Sequence, residues 1–249
     1  MERFFLPPEL LAGADVGHAF VFPADQSRQM QQVLRLPDGA VVEVCDGKGR
    51  CYEVVITHLG KNRTGGRILK TMPASTPLRG EPTGDIILCQ ALLRQDRFEW
   101  VLQKGTELGV THFQPILTQR TVRREVGPAL WQRWQRIVRE AAEQSGRTRL
   151  PTLASPLLFE AALTAGRGLV LLATPGAPQT PAVLPGLARW PATLVIGPEG
   201  GLTPDEIARA QQLGIAVIGL GPRILRAETA ALVLLTLVTA ALGEFERLS

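Results

Sequence analysis

Two apolar runs near the carboxyl terminus each break into a loop of glycine and proline and then into a helix start. The first is Thr193-Leu-Val-Ile-Gly-Pro-Glu-Gly-Gly-Leu-Thr-Pro-Asp-Glu206. Leu194 to Ile196 reads as a buried strand. Thr203 and Glu206 have capping-box spacing, and Pro204 falls at the first helical position, where its missing N–H costs nothing. The second run, Ile215 to Leu220, ends in Gly221-Pro-Arg-Ile-Leu-Arg226, and Ala227-Glu-Thr-Ala230 opens a long apolar helix. Glycines between a strand and a helix start let backbone N–H groups approach a ligand with no Cβ in the way. The pattern is neither a dinucleotide GxGxxG nor a P-loop, because no Gly-Lys-Ser/Thr follows.

Upstream, the same alternation of strand and helix reaches back to Ile86. Ile86 to Leu93 reads as a strand, Arg97 to Leu108 as a helix stopped by Gly109, and Phe113 to Leu117 as a strand. Pro128 to Ser145 is a helix in which Trp131, Trp134, Val138, Ala141 and Ala142 recur at helical spacing. Ser155-Pro156 is expected to start another helix, Leu169 to Ala173 is a strand, and residues 175–191 are a second Pro/Gly-rich loop. Such alternation predicts an α/β fold, a mostly parallel sheet with helices on both faces. Ligands of these sheets bind beyond the carboxyl ends of the strands, where both glycine loops lie.

The first seventy residues differ. Val16 to Phe22, Ala40 to Cys45, Arg50 to His58 and Arg67 to Thr71 read as strands, and Asp25 to Leu34 as a short helix. Asp46-Gly-Lys-Gly49 is a hairpin signal. Several short strands with turns between them suggest a small barrel. Residues 72–84 are rich in Pro, Gly and hydroxyl side chains and read as a linker. The predicted organisation is therefore a barrel at 1–71, a linker at 72–84 and the α/β domain at 85–249.

The apolar content of 45% suits a globular core. No apolar run reaches membrane-spanning length, and Ala230 to Leu242 is too short. The amino terminus lacks the apolar core of a signal peptide, which makes the cytoplasm the default location. Cys45, Cys51 and Cys89 form no C-x-x-C, and His18, His58 and His112 are scattered, so no metal site is expected. Cys45 and Cys51 are placed to face each other across a hairpin. A reducing cytosol argues against a lasting bond, which leaves small buried thiols with one exposed. The net charge is +4, and Gln119 to Arg149 holds eight Arg and three Glu with no Lys or Asp. Arginine suits phosphate and stacks on bases. A solvated helix face explains the same run equally well.

The pair Ile196-Gly-Pro-Glu-Gly-Gly201 and Leu220-Gly-Pro-Arg-Ile-Leu-Arg-Ala-Glu-Thr-Ala230 resembles the carboxyl-terminal signature of SPOUT-class RNA methyltransferases. Within that class it is similar to the bacterial family that methylates uracil N3 in 16S ribosomal RNA. Val33-Leu-Arg35, Lys104-Gly-Thr-Glu-Leu-Gly-Val110, Arg120-Thr-Val122 and Glu140-Ala-Ala-Glu-Gln-Ser-Gly-Arg147 extend the likeness along the chain. The resemblance implies a PUA-like RNA-binding barrel, a trefoil knot that threads the last helix through a preceding loop, and a homodimer. It implies S-adenosyl-L-methionine as cofactor, 16S rRNA or the small ribosomal subunit as partner, and no metal.

The same resemblance carries cofactor binding to Ile196, Gly197, Pro198, Glu199, Gly200, Gly201, Leu220, Gly221, Ile224, Leu225, Thr229 and Ala230, and Thr174, at the end of the Leu169–Ala173 strand, is placed to line the same cleft. RNA contact falls to Arg28, Arg35, Arg120, Arg123, Arg124 and Arg147. Attack by uracil N3 requires its proton to leave, and a positioned base accepts it. Glu199 and Glu228 are the candidates, although Glu228 also suits a helix N-terminus and Glu199 a loop anchor. Arginine stays protonated, so Arg223 and Arg226 are assigned to the developing carbonyl charge or to phosphate. Gln144-Ser-Gly-Arg147 is either a substrate element or an ordinary helix end. Lys104 and Glu107 either pair on the helix surface or face the cleft. The competing readings are a non-catalytic RNA-binding or ribosome-assembly factor, and a phosphate- or nucleotide-binding enzyme using the Gly200-Gly201 helix start.

Overall fold

Period-two alternation in the first seventy residues builds a sheet, and the alternation of strand and helix after it builds another. Both are seen in a computed structural model that describes residues 1–60, 63–72, 80–177, 182 and 184–246. The chain forms two compact units, Met1–Glu81 with Ala142–Leu150, and Pro82–Ala141 with Pro151–Ser249. Of the linker expected at 72–84, residues 73–79 lie outside the described residues.

The first unit comprises β1 (Arg3–Phe5), β2 (Ala19–Val21), α1 (Ala24–Arg28), β3 (Val41–Cys45), β4 (Cys51–His58) and β5 (Gly65–Thr71). Its sheet has the order β1-β3-β4-β5-β2. β1 runs parallel to β3 and the other pairs are antiparallel. Val42, Val44, Val54, Ile56 and Ile68 bury one face against Phe4, Phe20, Phe22 and Met30. Phe5, Cys45 and Cys51 line the other face with Ala142. The strand expected over Val16–Phe22 shrinks to three residues. β1 was too short to show a period. The predicted helix over 25–34 forms as α1 followed by a π-helical turn, Gln29–Val33.

Cys45 and Cys51 pair across the β3–β4 hairpin with their Cα atoms 4.1 Å apart, and they are joined by a disulfide. This corrects the expectation of unbonded thiols, because the strand register itself brings the two sulfurs together. Cys89 is the free thiol, and it is buried. Glu43 brings a carboxylate oxygen within 4.8 Å of both sulfurs, but Arg3 Nη2 already holds that carboxylate at 2.9 and 3.0 Å.

The second unit contains β6 (Ile86–Ala91), α2 (Gln95–Glu107), β7 (His112–Leu117) and α3 (Pro128–Gln144), whose end from Ala142 groups with the first unit. It continues with β8 (Thr152–Leu153), β9 (Leu157–Leu158), α4 (Phe159–Ala165), β10 (Leu169–Ala173) and α5 (Leu184–Leu187). It closes with β11 (Ala192–Ile196), α6 (Pro204–Gln212), β12 (Ala216–Ile218) and α7 (Ala227–Ala241). The sheet order is β12-β10-β11-β6-β7-β8, with β9 also paired to β7, and every pairing is parallel. The helix expected from Ser155-Pro156 begins later, because Leu157 and Leu158 first pair with Ile116 and Leu117 as β9. Within the expected loop 175–191, α5 forms, while residues 178–181 and 183 lie outside the described residues.

Side chains alternate across this sheet. Leu88, Leu171, Leu194, Ile196 and Ile218 bury against Phe98, Val101 and Leu102 of α2, Trp134 of α3, and Leu234, Leu235 and Val238 of α7. Cys89, Ile116, Leu172, Val195 and Val217 bury against Phe159, Ala162 and Leu163 of α4 and Ala210 of α6. Each fully buried Leu or Phe contributes roughly 1.5–3 kcal/mol, so both helical layers hold the strands in register. Among the described residues no helix is long and apolar enough to cross a membrane.

Candidate active site

Parallel register brings the carboxyl ends of four strands level. Ala173 pairs with Ile196 and with Ile218, and Ile196 pairs with Gln90. Thr174, the Gly197–Gly201 loop and the Leu220–Leu225 loop therefore leave the sheet from one edge. The Thr174 backbone N–H donates to the Ile218 carbonyl at 3.0 Å, tying two of these exits together.

The first loop is built to stay open. Gly197 and Pro198 are buried while Glu199 and Gly200 are exposed, and Gly201 turns the chain at φ 69°. Thr203 caps α6, and the capping box with Glu206 is complete. Glu206 does more than cap: its Oε1 accepts from the Gln119 backbone at 2.8 Å, and its Oε2 accepts from the Thr203 backbone at 2.8 Å. Arg120 Nη1 donates to the Gly200 carbonyl at 2.9 Å. The loop thus rests on the segment after β7, and one edge of the Arg120 guanidinium, expected to meet RNA, is committed to this support.

The second loop turns at Gly221, with φ 104°. Arg223, Arg226 and Thr229 are exposed, Leu225 and Ala230 are half-buried, and Ile224 is 86% exposed. An aliphatic side chain so exposed does not fill core, the alternative role for Ile224.

Glu199 and Glu228 meet on a residue the sequence reading did not single out. Arg97, in the first turn of α2, lies 3.7 Å from Glu199 Oε1 through Nη1 and 3.7 Å from Glu228 Oε1 through Nε. Glu199 Oε1 also accepts from the Arg94 backbone at 3.1 Å. Arg94 and Arg97 sit at the β6–α2 junction, a third strand–loop–helix exit on the same sheet edge. That repetition was the available signal. Two acceptors here have no donor: Glu228 Oε2 and Gln90 Oε1 are buried without a hydrogen-bond partner. Gln90 Nε2 reaches the Ala91 carbonyl at 3.1 Å and the Gly197 carbonyl at 3.5 Å.

The arginines assigned to RNA separate into groups. Arg28 and Arg35 are exposed in the first unit, and Arg35 holds a left-handed backbone at φ 51°. Arg123 is half-buried, and exposed Arg124 donates to the Thr118 carbonyl at 3.1 Å. Arg147 is corrected. It is 2% exposed, and its Nη2 lies 2.8 Å from Glu81 Oε2. The other Glu81 oxygen accepts from the backbones of Thr148 and Arg149 at 2.8 Å each, and Arg3 Nη1 donates to the Arg147 carbonyl at 2.7 Å. A guanidinium sealed this way is structural and cannot contact phosphate. Gly146, at φ 76°, ends α3 as an ordinary helix stop. Lys104 Nζ pairs with Glu107 at 2.7 Å and lies 5.2 Å from the centre of the Trp100 ring, so this pair belongs to the helix surface.

A cavity of about 170 Å³ lies toward the amino ends of the strands, lined by Ile87, His112, Phe113, Thr152, Ala162 and Arg167 among others. It contains none of the loop residues above. The exposed glycine loops, the converging carboxylates and the unpaired acceptors all stand at the opposite edge.

A parallel α/β sheet with glycine loops at its carboxyl edge has the layout of a small-molecule-binding α/β domain. Residues 79–239 match the model of the RNA methyltransferase domain family, and the chain belongs to that family. A ribosomal RNA small subunit methyltransferase E from Synechocystis is 36% identical over 247 residues, covering 96% of this chain and 78% of the relative. The protein of the same name from Bacillus subtilis is 27% identical, covering 96% of each. The Neisseria gonorrhoeae ribosomal RNA small subunit methyltransferase E, bound to S-adenosyl methionine, superposes with a TM-score of 0.83 at 32% identity, covering 96% of this chain and 97% of that one. A Legionella pneumophila methyltransferase with bound cofactor superposes with a TM-score of 0.86 at 29% identity, with the same coverage.

Proposed function

We propose that this protein transfers a methyl group from S-adenosylmethionine to N3 of a uridine in 16S ribosomal RNA of the small subunit. The observation that carries the reading is the level register of β6, β10, β11 and β12, which delivers the glycine loops and both glutamates to one edge. Relatives named ribosomal RNA small subunit methyltransferase E cover nearly the whole chain. The residues present suit the cofactor. Gly201 would set a Cβ into open space, and two buried acceptors await donors. Main chain of Ile196–Gly201 and Leu220–Leu225, with Thr174, Thr229 and Ala230, would hold it. When bound, it supplies an electrophilic methyl on sulfur.

The chain's own residues then have distinct tasks. Glu199, with its side chain 28% exposed, stands where a base arriving from solvent is reached, and we assign it acceptance of the N3 proton. Glu228 is more recessed, with its side chain 13% exposed. Arg223 and Arg226, exposed on the second loop, stabilise charge on the flanking carbonyl oxygens or hold phosphate. Alignment of the reacting atoms supplies the rest, without metal.

The finer features follow as part of the proposal. The first unit serves as a PUA-like RNA-binding barrel through Arg28 and Arg35, and the cytoplasm is the compartment. α7 starts beside edge strand β12 yet packs on β11, α2 and α5, a return path that supports a trefoil knot. Pairing of two copies through α7 completes the enzyme.

The test has two parts. Calorimetry should detect S-adenosylhomocysteine binding by the wild type. Small-subunit RNA from a strain lacking the gene should gain methyl label at uridine N3. Glu199→Gln should lower kcat while leaving cofactor affinity in place. RNA binding without any cofactor binding would favour an assembly factor instead.

A further inference from the structure

The loop-to-loop bridge at Arg97 has a polarity that the proposed reaction does not explain. One guanidinium faces two carboxylates, so the three side chains together carry one net negative charge. Arg97 approaches each glutamate through Oε1, at 3.7 Å in both cases. Glu228 Oε2 remains buried with no donor. An unpaired carboxylate oxygen held out of water carries a substantial desolvation penalty. Its place as the second residue of α7, in the first turn, does not remove that penalty, since no backbone N–H reaches it. Gln90 Oε1, a second orphan acceptor, sits at the end of β6 beside the Gly197 loop. These two buried acceptors lack hydrogen-bond donors, and a ligand is the group that brings them.

The geometry points to Glu228 Oε2 as the acceptor for the α-ammonium of the cofactor's aminoacyl end, with Arg97 as the residue that positions it. This rests on the S-adenosylmethionine reading above. Uracil is neutral and approaches from solvent, whereas Glu228 is recessed behind Glu199. The aminoacyl end carries an ammonium, a cationic N–H donor, at neutral pH. Binding its ammonium supplies the orphan oxygen with a charge-assisted donor. Arg97 draws Oε1 aside, fixes the carboxylate plane and joins the β11–α6 loop to the start of α7 through Glu199. Arg97 touches no reacting atom in this scheme, so it is a positioning residue.

Calorimetry with two ligands tests the assignment. S-adenosylhomocysteine has the aminoacyl end; 5′-methylthioadenosine keeps adenine, ribose and sulfur and lacks it. Glu228→Gln should weaken S-adenosylhomocysteine by about tenfold to a hundredfold, as expected for one charge-assisted hydrogen bond. It should leave 5′-methylthioadenosine within about twofold, and that retained binding also reports an intact fold. Arg97→Ala should act in the same direction, Arg97→Lys should recover part of the loss, and Arg97→Ala with Glu228→Gln should be no worse than Glu228→Gln alone. Equal S-adenosylhomocysteine affinity in the wild type and Glu228→Gln would overturn the assignment, as would equal loss of both ligands. Failure of the wild type to bind either ligand would instead remove the cofactor reading beneath it.

Discussion

Arginines that read alike in the sequence carry unlike duties in the structure. Arg147 looks like its neighbours in an Arg-rich run, yet Glu81 seals it inside the first unit. Composition gave no sign of this, because Glu81 lies 66 residues upstream, inside the segment read as linker. Removing one partner of a buried pair leaves the other charge uncompensated. Arg147→Ala should therefore lower unfolding stability by about 3–5 kcal/mol, read by urea denaturation. RNA affinity per folded molecule should stay as in the wild type, whereas Arg35→Ala should weaken it. The cysteines make a second residue-scale case. Their pairing across a hairpin was legible from spacing, but the bond itself was argued away on grounds of compartment. Burial pushes the Cys89 thiol up to about 12, so it stays protonated and unreactive at neutral pH. A thiol reagent should count no free thiols in the native protein, one after denaturation and three after denaturation with reduction. Two reactive thiols in the native protein would show that Cys45 and Cys51 are not joined.

At the scale of elements, the parts that sequence made plain were those with chemical punctuation. The Thr203–Pro204–Glu206 start of α6, the exact span of β10 and the stop of α3 at Gly146 all carry local signals that tertiary contacts did not override. β1, β8 and β9 escaped because two or three residues cannot display a period, and pairing with a longer strand is what makes them strands. Arg97 escaped for a related reason: its importance comes from two loops more than a hundred residues away that only the sheet register brings to it. The β11–α6 loop lets support and ligand contact be separated. A Cβ on Gly200 would meet Arg120 Cβ at 3.4 Å, an ordinary contact, and Gly200 is not among the positive-φ glycines. Gly200→Ala should therefore fold normally, with a melting temperature close to that of the wild type, and keep S-adenosylhomocysteine affinity within about twofold, because the methyl points at Arg120 on the supporting side of the loop. Thr203→Ala removes the cap behind the loop and should cost about 1 kcal/mol of stability, again with little effect on affinity. A large loss of S-adenosylhomocysteine binding in Gly200→Ala would show that the Arg120 side of the loop is a ligand surface and not only a support.

At the scale of the whole molecule, the question is what covers α7. After Glu228 the helix has no charged residue. Its inner side, Ala231, Leu234, Leu235 and Val238, is buried in the second unit. Thr229, Leu232, Val233, Thr236 and Ala240 recur at spacings of three and four and remain exposed or half-buried. A surface helix normally carries charge on its outer face; this one presents small and apolar side chains instead. Two copies related by a two-fold axis would bury the same stripe on both sides, as an isologous interface requires. Val233→Asp would place a carboxylate without a partner in that seam, and desolvating it opposes association. Light scattering should then give the mass of two chains for the wild type and of one for the variant. Melting should separate the cases independently. The wild-type transition should rise with protein concentration, because association stabilises only the folded chain, and that of the variant should not. A Val233→Asp protein that keeps the dimer mass would place the subunit contact on another surface.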